Sequence, residues 1–263
     1  MNIVFLTSET AHHYYLINEV NRHFPIRMVF FQTKHVVKKK TLIEKLIDMI
    51  RLKSYGKIAH GLLHQLLFNG EIALQEQYEK KNFFNGQPPA LDPSIPFTKV
   101  YSFNDPKTIE EIKKQNPDLI IVFGTDILKG VVLKTARLNI LNIHRGIIPQ
   151  YRGGAVDLWA FYHRDFQNIG TTIHVCTDNL DEGDILGQKY YQLKKGDKIY
   201  MIRYKTTLLA VELLIEILKK FIQGNIHYQK QGIGKTWSGR QLTILKEIIA
   251  RRNFNRYIKS LES

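Results

Sequence analysis

The sequence contains a single cysteine, no long apolar run and no low-complexity tract. Because Cys176 has no second cysteine among the 263 residues, no disulfide can form within the chain, and we expect a reducing compartment. No stretch of about 18 apolar residues occurs, so we predict no membrane span. The first residues lack the basic and apolar regions of a signal peptide, and we therefore expect a cytoplasmic protein.

Acidic residues are scarce relative to basic ones. The chain has 38 Lys and Arg residues against 24 Asp and Glu residues, which gives a net charge of +14 at pH 7. Such an excess indicates a polyanionic partner: a nucleic acid, an anionic membrane surface or a small phosphorylated molecule. The basic residues are spread along the chain, with denser runs at 34–53 and 246–259, so charge alone does not choose among these partners.

Short apolar runs alternate with amphipathic segments along most of the chain. The runs at 3–6, 26–32 and 119–123 are typical of buried strands, and the segments between strands have helical periodicity. This alternation predicts an α/β fold with a Rossmann-like, mostly parallel sheet flanked by helices. Residues 35–96 combine a helical pattern with a proline-rich loop, and we predict a helical insertion there. Residues 224–263 are predicted to form a short C-terminal extension, made of a loop and a basic helix.

Two polar residues, Asn142 and His144, stand at the end of one predicted strand. Because side chains alternate along a strand, both project to the same face. α/β proteins place their sites at the carboxyl ends of such strands. An amide can bind a carbonyl oxygen, and an imidazole can donate to a developing oxyanion or carry a proton. An acidic loop at 178–186 could add a carboxylate. An amide, an imidazole and a carboxylate together could transfer an acyl group directly to an amine, without a Ser or Cys nucleophile.

Two stretches together resemble the folate-dependent formyltransferase superfamily. LNIHRGIIPQYRGG at 141–154 is similar to its Asn-x-His strand end and Pro-x-Tyr-Arg-Gly turn, and NLDEGDIL at 179–186 is similar to its Leu-Asp-x-Gly loop. The superfamily includes the methionyl-tRNA, glycinamide ribonucleotide and sugar N-formyltransferases. The resemblance covers residues 118–188 well and the first strand loosely. It implies that residues 1–223 form a formyltransferase catalytic domain.

The resemblance implies 10-formyltetrahydrofolate as the formyl donor, with no metal. It also implies that Asn142, His144 and Asp181 are catalytic. Asn142 and His144 would hold and polarise the formyl oxygen, while Asp181 would keep His144 productive and assist proton removal. The folate pocket would be formed by residues of two loops, namely Phe123, Gly124, Thr125, Ile127, Leu128, Asp178, Leu180 and Gly183.

The identity of the amine depends on features outside these motifs. The methionyl-tRNA enzymes carry a C-terminal barrel of about 100 residues, more than follows the core here. The glycinamide ribonucleotide enzymes have a Gly-Ser-Asn phosphate loop where this sequence reads TSETAHHYY. We therefore expect a nucleotide-linked amino sugar that feeds polysaccharide synthesis, with the other two acceptors as alternatives. Its diphosphate needs cations and its base an aromatic surface, which we expect from Ser8, His12, Arg145, Arg152 and Trp159.

Two other classes of function stay open on the sequence. A nucleic-acid-binding protein would explain the charge, but it would leave the Asn142 and His144 pair without a role. A zinc hydrolase would use His60 and His64, which lie four residues apart, although no glutamate base lies between them and no third ligand is evident. Among partners we favour the amino sugar, leave a homodimer open and disfavour nucleic acid.

Overall fold

The computed structural model describes residues 1–33 and 55–262, except for the side chains of 55–60 and 62. Residues 35–54 of the predicted insertion therefore lie outside the described residues. The strands are β1 (Ile3–Thr7), β2 (Ile26–Gln32), β3 (Phe97–Val100), β4 (Leu119–Phe123), β5 (Asn139–His144), β6 (Arg152–Gly153), β7 (Gly170–Val175), β8 (Ile185–Tyr190) and β9 (Thr236–Trp237). The helices are α1 (Ala11–Asn21), α2 (Tyr55–Phe84), α3 (Pro106–Lys114), α4 (Val156–His163), α5 (Ile202–Ile222) and α6 (Ile244–Ser260).

The described strands form a seven-stranded sheet in the order β3-β2-β1-β4-β5-β7-β8. Strands β1 to β5 run parallel to one another, whereas β7 is antiparallel to both β5 and β8. The α/β fold with a mostly parallel sheet is thus confirmed. Strands β2 and β3 lie on one side of β1, whereas β4 and the later strands lie on its other side, so the direction in which strands are added reverses between β1 and β4. Such a reversal of strand order is the place where open α/β sheets bind ligands.

Helices cover both faces of the sheet because the central strands are apolar on both sides. In β1, Ile3 and Phe5 belong to a cluster that includes residues of α1 and α5, while Val4 and Leu6 belong to a cluster that includes residues of α3. This explains why these strands appear in the sequence as continuous apolar runs rather than as alternating patterns. Among the described helices, none is both long enough and apolar enough to cross a bilayer.

The insertion and the C-terminal residues both pack against the sheet domain. Helix α2 contacts α1, where Tyr15 and Phe83 stack with ring centroids 4.1 Å apart. Helix α6 packs on α4 in a third apolar cluster that includes Phe161 and Phe254. Strand β9 pairs with β6 and so joins the C-terminal residues to the turn that follows β5. The domain boundary at residue 223 stays a prediction.

Candidate active site

A cavity of about 460 Å³ opens at the carboxyl ends of β1, β4 and β5. Its lining includes Ser8 beyond β1, the segment 123–128 at the end of β4, and the segment 142–145 at the end of β5. Thr177, Asn179, Leu180 and Asp181, from the loop that joins β7 to β8, also line it. The fold therefore brings both motif stretches of the sequence to one cavity.

Asn142, His144 and Asp181 meet on the cavity wall. Nδ2 of Asn142 donates to Oδ1 of Asp181 across 3.2 Å, and Nδ1 of His144 lies 3.3 Å from Oδ2 of the same carboxylate. The backbone N–H of Gly153 donates to Oδ2 across 2.8 Å. Oδ1 of Asp181 thus accepts from Asn142, while Oδ2 accepts from Gly153 and lies beside His144. The catalytic roles of Asn142, His144 and Asp181 stay a prediction.

His174 completes this group, and sequence reasoning missed it. It pairs with Asn142 in the β5–β7 register, and its Nε2 lies 3.1 Å from Nδ2 of the Asn142 amide. Nδ1 of His174 lies 2.9 Å from the carbonyl oxygen of Val175, which can only accept, so Nδ1 carries the hydrogen and Nε2 accepts from the amide. A histidine within a buried strand that has no other ionisable residue was the available signal, but only the strand register makes it a neighbour of Asn142.

The hydrogen bonds of His144 fix its neutral tautomer. Its Nε2 lies 2.7 Å from the carbonyl oxygen of Tyr151, so Nε2 carries the hydrogen and Nδ1, beside Asp181, is left with a lone pair. Burial lowers the pKa of His144 below its ordinary value of 6.5. Burial alone would raise the pKa of Asp181, but the positive charge that His144 and His174 carry when protonated, 3.3 Å from the carboxylate, and the hydrogen bond from the Gly153 amide together lower it to about 2. The site therefore holds a neutral imidazole beside an ionised carboxylate.

The backbone around Asp181 is held by a glutamine that the sequence analysis did not single out. Asp181 adopts φ +54°, in the left-handed region that few residues other than glycine occupy. Gln231 donates through Nε2 to the carbonyl oxygens of Asp181, at 3.0 Å, and of Gly183. Oε1 of Gln231 in turn accepts from Nη2 of Arg152 across 2.8 Å. The loop is thus held in the conformation that aims Asp181 at Asn142.

Three residues expected to touch ligands instead shape this loop and lie outside the cavity lining. Arg152 is buried against Gln231 and the Gly232 carbonyl, and its Nη1 lies 3.4 Å from Glu182. A Cβ on Gly183 would lie 1.8 Å from the backbone oxygen of Val175, so a glycine is needed here for close packing. Oδ1 of Asp178 accepts from the backbone N–H of Gly130.

Trp159 requires a correction. It was expected to offer a stacking surface to substrate, but it is only 2% exposed and belongs to the third apolar cluster. Its ring lies 4.8 Å from that of Trp237 and stacks with His163. Helix α4 turns this side chain toward α6 and away from the cavity, because the apolar face of α4 packs on α6.

The remaining predicted site residues do line the cavity. The folate-side residues among them are Phe123, Gly124, Thr125, Ile127, Leu128 and Leu180, and the acceptor-side residues are Ser8, His12 and Arg145. Gly124 adopts φ +65°, and a Cβ there would lie 2.6 Å from the ring of His13. His13, Thr10 and Arg203 are further lining residues that the sequence analysis did not identify.

The structure describes the side chain of only one of the two histidines expected to bind zinc. The side chain of His60 lies outside the described residues, and Nε2 of His64 lies 3.1 Å from Oε1 of Glu247. Within residues 1–33 and 55–262, no group of three or more histidine, cysteine or acidic side chains is arranged to hold a metal ion.

Comparison with known proteins identifies the family. A family model described as formyl transferase matches residues 69–218, which is more than half of the chain. The chain belongs to the formyl transferase family. The match ends before the C-terminal extension and includes every residue of the Asn142, His144, His174 and Asp181 group.

Sequence relatives of this formyl transferase family member are longer than the region they share with it. The methionyl-tRNA formyltransferase of Caldanaerobacter subterraneus subsp. tengcongensis is 31% identical over 130 residues. The match covers 49% of this chain and 41% of that relative. The similarity therefore reaches well under two thirds of the relative's length.

Solved structures share the fold over nearly the whole chain. A sugar N-formyltransferase from Shewanella sp. FDAARGOS_354 aligns with a TM-score of 0.58 at 14% identity, covering 96% of this chain and 87% of its own. WlaRD is a sugar 3N-formyltransferase crystallised in the presence of dTDP and 5-N-formyltetrahydrofolate. It aligns with a TM-score of 0.58 at 11% identity, and the alignment covers 98% of this chain and 81% of WlaRD. At these identities the likeness shows the fold alone.

Proposed function

We propose that this family member transfers a formyl group from 10-formyltetrahydrofolate to the amine of a nucleotide-linked amino sugar. The observation that carries formyl transfer is the convergence of Asn142, His144 and Asp181 at the wall of one cavity. Cys176 also lines this cavity, but burial raises the pKa of its thiol to about 12, which disfavours a covalent route through sulfur. The polar group on β5 and the loop after β7 is therefore the best candidate for the chemistry.

The segment at the end of β4 fits a flat heteroaromatic ring. The left-handed turn at Gly124 exposes backbone to the cavity, and the apolar side chains of Ile127 and Leu180 stand 45% and 39% exposed beside it. Exposed apolar side chains next to polar backbone suit a pterin, which stacks through its faces and hydrogen-bonds through its edge. These residues would hold the folate, whose bound form supplies the formyl group.

The polar residues would bind oxygen and move a proton. In this proposal Asn142 turns the Nδ2 hydrogen now donated to Asp181 toward the formyl oxygen. Nδ1 of the neutral His144 accepts the proton that the attacking amine loses, and the nearby Asp181 carboxylate stabilises the resulting imidazolium. The imidazolium then gives this proton to N10 of the folate as the bond between N10 and the formyl carbon breaks, so that tetrahydrofolate leaves and His144 is neutral again. His174 is a positioning residue, since its Nε2 holds the amide of Asn142 in place.

The proton transfer predicts a particular pH dependence. Because His144 must be neutral to accept a proton, kcat/KM should fall on the acid side, with an apparent pKa below 6.5. Asp181, with its pKa of about 2, should contribute no limb in the measurable range. A pH–rate profile of the wild-type protein checks this, and an acid limb at or above 6.5 that does not match the titration of the free acceptor amine would contradict the neutral His144.

The amino-sugar acceptor is supported by chain coverage. In the structural comparison, the two sugar N-formyltransferases match this chain over 87% and 81% of their own length. The sequence identity of 31% to the methionyl-tRNA formyltransferase favours methionylated initiator tRNA as the second candidate acceptor. Formylated amino sugars made in this way would feed polysaccharide synthesis.

A panel of acceptors decides between these candidates. Purified protein with 10-formyltetrahydrofolate is offered nucleotide-linked amino sugars, methionylated initiator tRNA and glycinamide ribonucleotide, and formylated products are measured by mass. We expect product from at least one amino sugar and none from the other two. Formylation of the tRNA without that of any sugar would reject the sugar assignment while leaving formyl transfer in place.

A further inference from the structure

Two arginines line the same cavity as Asn142. Arg145 follows β5, and Arg203 lies in the first turn of α5. Nη2 of Arg145 lies 3.4 Å from Oδ2 of Asp157 in α4. Arg203 donates through Nε and Nη2 to both carboxylate oxygens of Glu79 in α2, the second bond being 2.8 Å long. We call Arg145, Arg203, Asp157 and Glu79 the arginine cluster.

The arginine cluster lies beside the group proposed to be catalytic. Asp157 is close enough to both Arg145 and His144 to interact electrostatically with each of them. Arg203 interacts in the same way with Arg145 and with His13. A ligand part held by the cluster would therefore place a neighbouring amine near His144.

Arg145 of the cluster and His13, which both line the cavity, offer a hydrogen-bond donor and an acceptor. Within the described residues, Nη1 of Arg145 is buried and has no hydrogen-bond partner. Nδ1 of His13 lies 2.8 Å from the carbonyl oxygen of Ser8, so it carries the hydrogen and Nε2 can only accept. Burial lowers the pKa of His13 to about 4, which keeps its ring neutral. A hydroxyl group can satisfy both functions because it donates and accepts, whereas a phosphate oxygen only accepts.

The charge balance of the cluster disfavours an anion. Each guanidinium already faces a carboxylate, and Glu79 is completely buried. A phosphate added here would leave a buried charge without a counter-ion, whereas a neutral hydroxyl would not. The cavity has a volume of about 460 Å³, which lies within the range of a site for one small ligand.

We propose that the arginine cluster and His13 bind the hydroxyl-bearing ring of the acceptor, while the nucleotide and its diphosphate lie outside the cavity. This rests on the proposed function and changes the sequence-based expectation that Arg145 meets the diphosphate. It also gives the insertion a role, because Glu79 of α2 holds Arg203 at the cavity wall. The proposal implies an acceptor whose amine stands on a ring next to free hydroxyl groups.

The test separates sugar binding from phosphate binding at Arg145. R145M should raise KM for the nucleotide-linked amino sugar about tenfold to a hundredfold, because a charge-assisted hydrogen bond is lost. The inhibition constant of the free nucleoside diphosphate, used as the probe, should stay unchanged. R145Q keeps a donor and should recover part of the KM, and thermal melting confirms that both variants are folded.

The outcomes distinguish this inference from the function on which it rests. If the inhibition constant rises by the same factor as KM, or if KM does not change, Arg145 does not bind the sugar ring and the inference is overturned while formyl transfer stands. If wild-type protein formylates no nucleotide-linked amino sugar, the proposed acceptor and this inference fall together.

Two glutamates of α2 provide a matched comparison. Glu79 binds Arg203 at the cavity, and Glu71 binds Arg251 of α6 across 2.9 Å, remote from the cavity lining. E79Q should raise KM for the sugar without changing the inhibition constant of the nucleoside diphosphate, and E71Q should change neither. Equal KM values for the two variants would overturn the role assigned to Arg203 and to the insertion.

Discussion

Replacement of Asp181 by Asn is expected to lower kcat/KM for formyl transfer by about 10²–10⁴-fold while the protein stays folded. The amide is nearly the same size as the carboxylate, and its single oxygen can still accept from one of the two donors, the Gly153 N–H or Asn142. It cannot stabilise a proton on Nδ1 of His144, which lies 3.3 Å from Oδ2. The loss should therefore fall on kcat and leave KM for the folate nearly unchanged.

Asp184, three residues further along, serves as the control. Its side chain faces Lys230 at 3.6 Å and lies outside the cavity lining, so D184N should keep wild-type rates. Steady-state assays of both variants check the prediction. A D181N enzyme that retained more than about a tenth of wild-type kcat/KM would contradict the role given to this carboxylate.

The pH dependence of protein stability reports the ionisation of Asp181 without an activity assay. Its folded pKa of about 2 lies below its ordinary value of 3.8, so the ionised form stabilises the fold above pH 3.8. That contribution is lost as the pH falls through 2. Denaturant melts of wild-type protein over this range should show the loss, and D181N should lack it.

Replacement of Gly153 by Ala should destabilise the protein by about 3 kcal/mol and also reduce its activity. Gly153 adopts φ +93°, and a Cβ there would lie 2.2 Å from the backbone oxygen of Trp237 in β9. The clash would separate β6 from β9, and it would move the N–H that donates to Asp181. Urea unfolding monitored by fluorescence measures the change.

The neighbouring Gly154 is the matched control for this prediction. Its nearest contact for an added Cβ is the backbone nitrogen of Gly239 at 3.6 Å, an ordinary van der Waals distance, and its φ lies outside the left-handed region. G154A should therefore unfold close to wild type. If G153A and G154A had the same unfolding midpoint, the β6–β9 contact would not hold Asp181 in the way described.

Several features of the site were predictable because they depend on local periodicity. The two-residue alternation along β5 places Asn142 and His144 on one face, and the apolar run before Phe123 predicts a buried strand that ends at the cavity. The resemblance to the formyltransferases added Asp181, which no local pattern connects to β5. The mostly parallel sheet followed from the alternation of strands and helices.

Other contacts depend on how distant segments pack, and local patterns do not encode this packing. Trp159 was misassigned because a short apolar helix does not reveal which neighbour its face will meet, and here the neighbour is α6. Gln231 lies 50 residues beyond Asp181 in a segment without periodicity, yet it holds the Asp181 loop. No rule of spacing would have selected it.

The sequence by itself determined the fold class, the family and the strand end that carries Asn142 and His144. The fold class and the strand end follow from residues that are close along the chain, where backbone geometry fixes the direction of the side chains. The family follows from the resemblance of two motif stretches to the formyltransferases. The tertiary structure alone decided that His174 supports Asn142 and that Glu79 holds Arg203 at the cavity. It also decided that Arg145, which lines the cavity, has a buried nitrogen without a hydrogen-bond partner among the described residues. Such contacts form between elements that meet only when the sheet register and the helix packing are set, because their energies depend on distance in space and not along the chain.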